Sequence, residues 1–358
     1  MDLMNRTRIY SICQALLAAL LFGASAPVAK LLLGDMAPVV LAALLYLGSG
    51  VSLLLIGFAR RMSDRFGTVE AQIDKADVAW LAGAILAGGV AAPIVLLFSL
   101  RSTPAATASL LLNFEGVATT LLAALVFKEA IGRRAWWAIL CVTAASMLLS
   151  LNMNGEWGLS VGALGILAAC LLWGIDNNFM RNIAAKDPLT IVTLKGLGAG
   201  VFSLALALIL GNSLPMPGMV LEAMLLGSLS YGLSVVLFIR AMRGLGAART
   251  SALFGTAPLA GVAVSVLLLG EAPTVKLVIA LPFMTVGALL LLNEQHGHTH
   301  THALVTHDHR HQHDDPHHAH PHERDMADER HSHWHAHDSL EHEHGHLPDI
   351  HHRHSHSA

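Results

Sequence analysis

The chain has 358 residues, of which 54% are hydrophobic and 13% charged, with a net charge of −3. A water-soluble domain carries about a quarter of its residues as charges, so this composition excludes a soluble monomer and points to a membrane protein. The charge divides near Glu294: residues 1–294 hold 18 Lys+Arg, 14 Asp+Glu and no histidine, whereas residues 295–358 hold 4 Arg, 11 Asp+Glu and all 23 histidines.

Taken in chain order, ten apolar runs reach the roughly 17–25 residues that a membrane-spanning helix needs. They are Ile9–Leu33, Met36–Phe58, Val78–Leu100, Pro104–Phe127, Ala135–Leu151, Leu159–Met180, Leu189–Leu210, Met219–Ile239, Ala247–Leu269 and Val275–Leu292. In hydrocarbon the backbone must satisfy its own hydrogen bonds, so each run is expected to be a helix. The first follows Arg6 and Arg8 and contains Ala24-Ser25-Ala26, the look of a cleavable leader. It continues past those small residues and nine more runs follow, so a span is the better reading. Cys13, Cys141 and Cys170 lie far apart inside apolar runs, which suits three buried thiols rather than a disulfide framework or a thiolate metal site. No Walker-type phosphate loop and no Gly-x-Ser-x-Gly elbow occurs, so nothing suggests ATP hydrolysis or acyl transfer, and the chain is not read as an enzyme.

With ten spans, fourteen basic residues fall on one side of the bilayer and only Lys30, Arg101 and Lys276 on the other. The positive-inside rule makes the basic side cytoplasmic and places both termini there. The runs also repeat. Leu20-Leu21-Phe22-Gly23 corresponds to Leu171-Leu172-Trp173-Gly174, and Gly48-Ser49-Gly50 to Gly198-Ala199-Gly200; Ala105 to Glu129 corresponds to Ala247 to Glu271. Each half has five spans, an odd number, so the second half inserts upside down relative to the first. Inverted repeats of this kind are a recurring plan of secondary transporters, with the site near the midplane between the halves.

The duplicated five-helix unit, Phe22-Gly23 with Trp173-Gly174, the basic residues Arg101 and Arg243 after the third and eighth runs, and the paired Glu129 and Glu271 resemble the drug/metabolite transporter superfamily. Within it they are most similar to ten-helix transporters of the EamA type, and the resemblance covers about residues 8–292. It implies an all-α membrane protein, a polytopic inner-membrane carrier, in most cases an exporter of small solutes such as amino acids and metabolites. The expected organisation is a first five-helix repeat over 1–151, a second over 152–294 and a cytoplasmic tail over 295–358. The tail departs from the family's usual pattern.

Ionisable groups inside spans are costly and are candidate functional residues by default. Glu115 falls about halfway through the fourth run, with Asn113 beside it and Thr119 one turn on; in the repeat alignment Gly255-Thr256-Ala257-Pro258 stands opposite. A carboxylate at that depth suits proton coupling or substrate binding; a protonated glutamate hydrogen-bonded within the bundle is the plainer alternative. Asp176 and Lys195 lie at similar depth in the sixth and seventh runs, antiparallel neighbours by the short Lys186-Asp187-Pro188 connection, so an ion pair is expected. Asp176 with Asn177 and Asn178 is also a candidate for substrate contact, and the two amides alternatively bind another helix. Glu129 and Glu271 are expected to cap the next helix, and Lys30 to snorkel to the outer surface. Pro27, Pro93, Pro258 and Pro282 mark expected kinks.

The tail alternates His-x-His: His296, His298, His300 and His302; His307, His309, His311 and His313; His317, His318, His320 and His322; His331, His333, His335 and His337; His342, His344 and His346; His351, His352, His354 and His356. With few apolar residues it is expected to be disordered. Imidazole is a good ligand for nickel, cobalt and zinc, so the tail is expected to bind such ions without a defined tetrahedral site; a pH-responsive or solvating tail is the alternative. No cofactor is otherwise required. A cytoplasmic metal-catching tail makes a divalent transition metal, nickel or cobalt before zinc, the first expectation for the exported substrate. An amino-acid or metabolite exporter whose tail buffers or senses metal is the second, and a membrane-anchored metal store the third. The membrane part offers a metal only carboxylate, amide and thioether groups. The expected partners are the lipid bilayer, the substrate and a second copy of the chain in a homodimer, with no nucleic acid.

Overall fold

The computed structural model describes residues 2–63, 72–127, 133–152, 158–183, 186–245, 253–292, 296–301, 305–311, 331–337 and 341–346. Glu129, His302, His313, His317, His318, His320, His322, His351, His352, His354 and His356 lie outside them. The membrane part is helical: α1 (Asp2–Gly23), α2 (Ser25–Leu32), α3 (Pro38–Ser63), α4 (Val78–Ala84), α5 (Ala92–Leu100), α6 (Ala105–Leu111), α7 (Phe114–Phe127), α8 (Arg133–Ser150), α9 (Val161–Asn182), α10 (Pro188–Ile209), α11 (Pro217–Gly227), α12 (Ser234–Leu245), α13 (Ala257–Leu269) and α14 (Val275–Leu292). Among the described residues, seven apolar helical stretches are long enough to cross a membrane, and three shorter ones, Trp136–Ser150, Ala257–Leu269 and Val275–Gly287, coincide with the fifth, ninth and tenth runs.

Helix ends follow local chemistry. Asp187 accepts hydrogen bonds from the Leu189 and Thr190 amides ahead of Pro188, and Ser160 accepts one from the Ala163 amide, two side-chain N-caps. Gly270, at φ 65°, ends α13 in the left-handed region that glycine enters without steric cost. The halves are joined by a short antiparallel pairing of β1 (Leu151–Asn152) with β2 (Gly158–Leu159).

Several spans are interrupted, and the interruptions repeat. A π-helical turn, Ile85–Ala91, sits between α4 and α5, and another, Ser228–Leu233, between α11 and α12. The fourth span breaks at Leu112-Asn113 and the ninth at Gly255-Thr256, within one residue of each other in the repeat alignment. Pro93 and Pro258 immediately follow such interruptions, and Pro27 follows the turn at Ala24. Proline has no N–H to donate and its ring crowds the carbonyl four residues back, so a widened or broken turn just before it relieves both problems. Pro282, expected to kink its helix, lies within the continuous α14.

Packing obeys the same exchange. α3 packs on its counterpart α10, and α8 on α14. α1 packs on α12 and α13, while its counterpart α9 packs on α5 and α7. The interior holds Leu41, Leu45, Leu97, Leu110, Leu111, Ile166 and Met284, all fully buried; Leu55, Phe58, Val201, Ile209 and Leu267 lie on the perimeter, where lipid makes their exposure favourable. Close approach of helices, rather than exclusion of water, then supplies the cohesion.

In the tail, the described backbone forms two antiparallel pairs. β3 (His296–Thr301) runs beside β6 (Glu341–His346), and β4 (Val305–His311) beside β5 (His331–His337). Composition alone pointed to an unstructured chain; the alternation of His-x-His has the two-residue period of a strand, which is compatible with pairing. The register sets His298 opposite His344 and His309 opposite His333.

Candidate functional site

The candidate site is built around α9, which carries Trp173, Asp176 and Asn177 on one face at helical spacing. Gly174 lets α9 approach α7 closely: a Cβ there would lie 3.0 Å from the Ala118 carbonyl carbon and the Thr119 nitrogen. Across this contact the Asn177 side-chain amide donates to Glu115 Oε1 at 2.9 Å and to Thr119 Oγ1 at 3.1 Å, and Thr119 Oγ1 donates to the Glu115 carbonyl at 2.8 Å. The Asn178 amide donates to the carbonyls of Thr119 (3.2 Å) and Gly174 (2.8 Å), a helix-binding role. Glu115 lies in the first turn of α7, just past the break, where the positive end of the helix dipole faces a carboxylate.

One turn along, the Lys195 ammonium forms an ion pair with Asp176 Oδ2. The Asp176 side chain is 3% exposed, and its Oδ1 is buried with no hydrogen-bond partner among the described residues. Room for this carboxylate exists because the facing residue is Gly88, where a Cβ would fall 1.9 Å from Asp176 Oδ2. Gly88 is in the first π turn. Its carbonyl accepts a hydrogen bond from Tyr46 Oη at 2.8 Å and from the Trp173 indole at 3.0 Å. Beside this cluster Tyr46 stacks on Tyr231 at 5.7 Å, and Phe22 contacts Tyr231 and Phe254 at 6.0 and 5.3 Å. Glu115 lies within electrostatic reach of Asp176, Lys195, Tyr46 and Tyr231.

Of the residues expected from sequence, the structure thus brings together Glu115, Thr119, Asp176, Asn177, Asn178 and Lys195. Asn113 sits at the break, half-buried, and its side chain makes no hydrogen bond to that group. Lys30 donates to the Thr103 carbonyl at 2.6 Å and pairs with Glu271 at 3.2 Å, residues just past the ends of the third and ninth apolar runs. One expectation is corrected. Glu271 does not cap the helix that follows it; it accepts from the Ala105 and Ala106 amides, both at 2.9 Å, at the start of α6 in the other half. The reason is the turn at Gly270, which directs the chain across to the first and fourth spans. Burial pushes the Glu271 carboxyl up, but the two amides and the Lys30 ammonium together outweigh it and hold the group below its ordinary value. Lys186, in the connection between α9 and α10, pairs with Asp74 at 3.1 Å and Asp77 at 3.3 Å on the loop before α4.

Sequence reasoning missed Tyr46, Gly88 and Tyr231. The available signal was rarity: the chain has three tyrosines, and two of them lie deep in spans rather than in the interfacial belts where tyrosine concentrates. Among the described residues no group of three His, Cys, Asp or Glu side chains is placed to hold a metal ion.

The comparisons agree with this architecture. A crystal structure of another protein superimposes with a TM-score of 0.56, covering 78% of this chain and 95% of that one at 21% identity, a likeness of fold. A protein described as an uncharacterized transporter from Methanothermobacter thermautotrophicus (strain Delta H) is 28% identical over 276 residues, spanning 74% of this chain and 80% of the relative. The model of the EamA-like transporter family matches twice, over residues 9–151 and 160–293. With two copies of that unit filling its membrane part, the chain belongs to the EamA-like transporter family.

Proposed function

We propose that this membrane transporter is a secondary carrier of the cytoplasmic membrane, with both termini cytoplasmic, that exports a small amine-bearing organic solute such as an amino acid by alternating access between its two five-helix halves. The observation that carries this reading is the position of Glu115: hydrogen-bonded by Asn177 and within electrostatic reach of the stacked Tyr46 and Tyr231. A carboxylate beside aromatic faces suits an ammonium group, which gains from both the charge and the ring quadrupole. A solute ammonium would take the Glu115 oxygen that Asn177 now occupies, with Asn177 and Thr119 left to its polar remainder. Ligands this weak for a metal make a divalent ion the lesser reading for the membrane path.

That second reading keeps one specific support, the 23 histidines of the tail. Their role in this proposal is to bind nickel, cobalt or zinc on a cytoplasmic arm, which buffers the ion or regulates transport. Everted membrane vesicles from cells expressing the full chain test both. Radiolabelled amino acids and radiolabelled nickel, cobalt and zinc are offered separately, with and without chelator, to wild type and Glu115→Gln. Amino-acid accumulation that chelator leaves intact and Glu115→Gln abolishes is the expected result. Chelator-sensitive accumulation of metal alone would replace it with metal efflux.

A further inference from the structure

The two-fold plan makes an asymmetry visible. Exchanging the halves carries Glu115 onto Ala257, Asp176 onto Ser25, Asn177 onto Ala26 and Lys195 onto Leu45. All the charge of the central site therefore sits in one half-site, while the other supplies Phe22, Tyr231 and Phe254. Within the charged half there are two carboxylates in different circumstances. Glu115 Oε1 is engaged by Asn177. Asp176 has one oxygen in an ion pair and the other, Oδ1, buried and unpartnered among the described residues. An empty acceptor on a buried carboxylate is costly to maintain and calls for an explanation.

We propose that the Asp176–Lys195 pair is the proton-coupling element of the carrier, with the proton binding at Asp176 Oδ1, and that Glu115 is its electrostatic counterpart at the solute. The proposal rests on the reading of the chain as a secondary carrier. A proton delivered by hydronium breaks one O–H bond there, leaving water, and forms one at Oδ1; the carboxylate becomes a neutral acid and the Lys195 ammonium loses its partner charge. Among the described residues, the remaining anion in reach of that ammonium is Glu115. Protonation at one carboxyl thus places a cation in competition with a solute ammonium for the other, so proton and amine disfavour each other's binding, the exclusion an antiporter needs. The titratable groups facing Asp176 are Lys195 of α10, Glu115 of α7 and Tyr46 of α3. α4, the Ile85–Ala91 turn, α5 and α6 carry no ionisable side chain, and α8, which also touches α9, carries Arg133, Arg134 and Cys141.

The test needs no solute, so its outcome is separate from that of the vesicle assay. The full chain is reconstituted in lipid and followed by infrared difference spectroscopy of the carboxylic C=O stretch between about pH 5 and 9. Wild type and Glu115→Gln are expected to show a protonated-carboxyl band on acidification, Asp176→Asn to lose it, and Asp176→Glu to recover it. In Lys195→Met the midpoint is expected to shift by about one pH unit or more, because its charged neighbour is gone. If Asp176→Asn does not fold, the Lys195→Met midpoint measured in the Glu115→Gln background, where Glu115 cannot titrate, decides. A band that persists in Asp176→Asn, that vanishes in Glu115→Gln, or whose midpoint is unmoved by Lys195→Met overturns the assignment.

Discussion

Asp176 and Lys195 show what a single buried charge costs in this bundle. Each is tolerated because the other neutralises it, and removing one partner of a buried pair costs about 3–5 kcal/mol, whereas removing both costs much less. The singly substituted Asp176→Asn and Lys195→Met proteins should therefore melt at lower temperature than the doubly substituted one, measured by thermal unfolding of purified protein in detergent. Gly88 is the complementary case. A methyl group there has no space beside the Asp176 carboxylate, so Gly88→Ala should cost about 1–3 kcal/mol of stability. It should also impair transport, because relief of the clash must move the ion pair or the π turn. The depth of Glu115 and the matched depths of Asp176 and Lys195 were readable from their places in apolar runs. The role of Gly88 was not, because the space it leaves and the carbonyl it offers depend on how two distant spans cross.

At the scale of elements, side-chain ties join spans that are distant in sequence. Glu271 links the end of α13 to the first turn of α6 and to Lys30 of α2. Its carboxyl is held below its ordinary value of 4.5, so its stabilising contribution is complete above that pH and is lost as pH falls through the lower, folded-state value. Melting temperature followed downward from neutral pH should fall more steeply in wild type than in Glu271→Gln, which has already lost the ionised group. At neutral pH the variant should be the less stable, by about 1–3 kcal/mol for the strained or unmet amides. The contact spans 241 positions of sequence. Periodicity and capping rules look only a turn or two ahead, so they assigned Glu271 to the nearest helix, and nothing in the sequence named the far one.

For the whole molecule, the ten runs and their internal repetition were legible because a bilayer imposes length and closes every backbone hydrogen bond within the segment. The tail is a separate matter of composition. Truncation after Glu294 removes every histidine and should abolish binding of nickel, cobalt and zinc by the purified chain, read by isothermal titration, while leaving the unfolding temperature of the membrane part within a degree or two. The same truncated protein should retain amino-acid transport if the arm only buffers or regulates.

The paired π turns carry a consequence for how this protein tolerates shortening. Each is a helix wound one residue too wide, so excising a single residue from Ile85–Ala91 or Ser228–Leu233 restores ordinary winding and leaves the flanking segments facing as before. The same excision a turn away in α5 or α12 swings everything beyond it by about 100°. Single-residue deletion scanning of the third and eighth spans should then show two narrow windows of intact membrane insertion and expression, at matching places in the halves. Loss of transport inside the first window, where Gly88 would no longer present its carbonyl to Tyr46 and Trp173, would mark that surplus residue as kept for function rather than for folding.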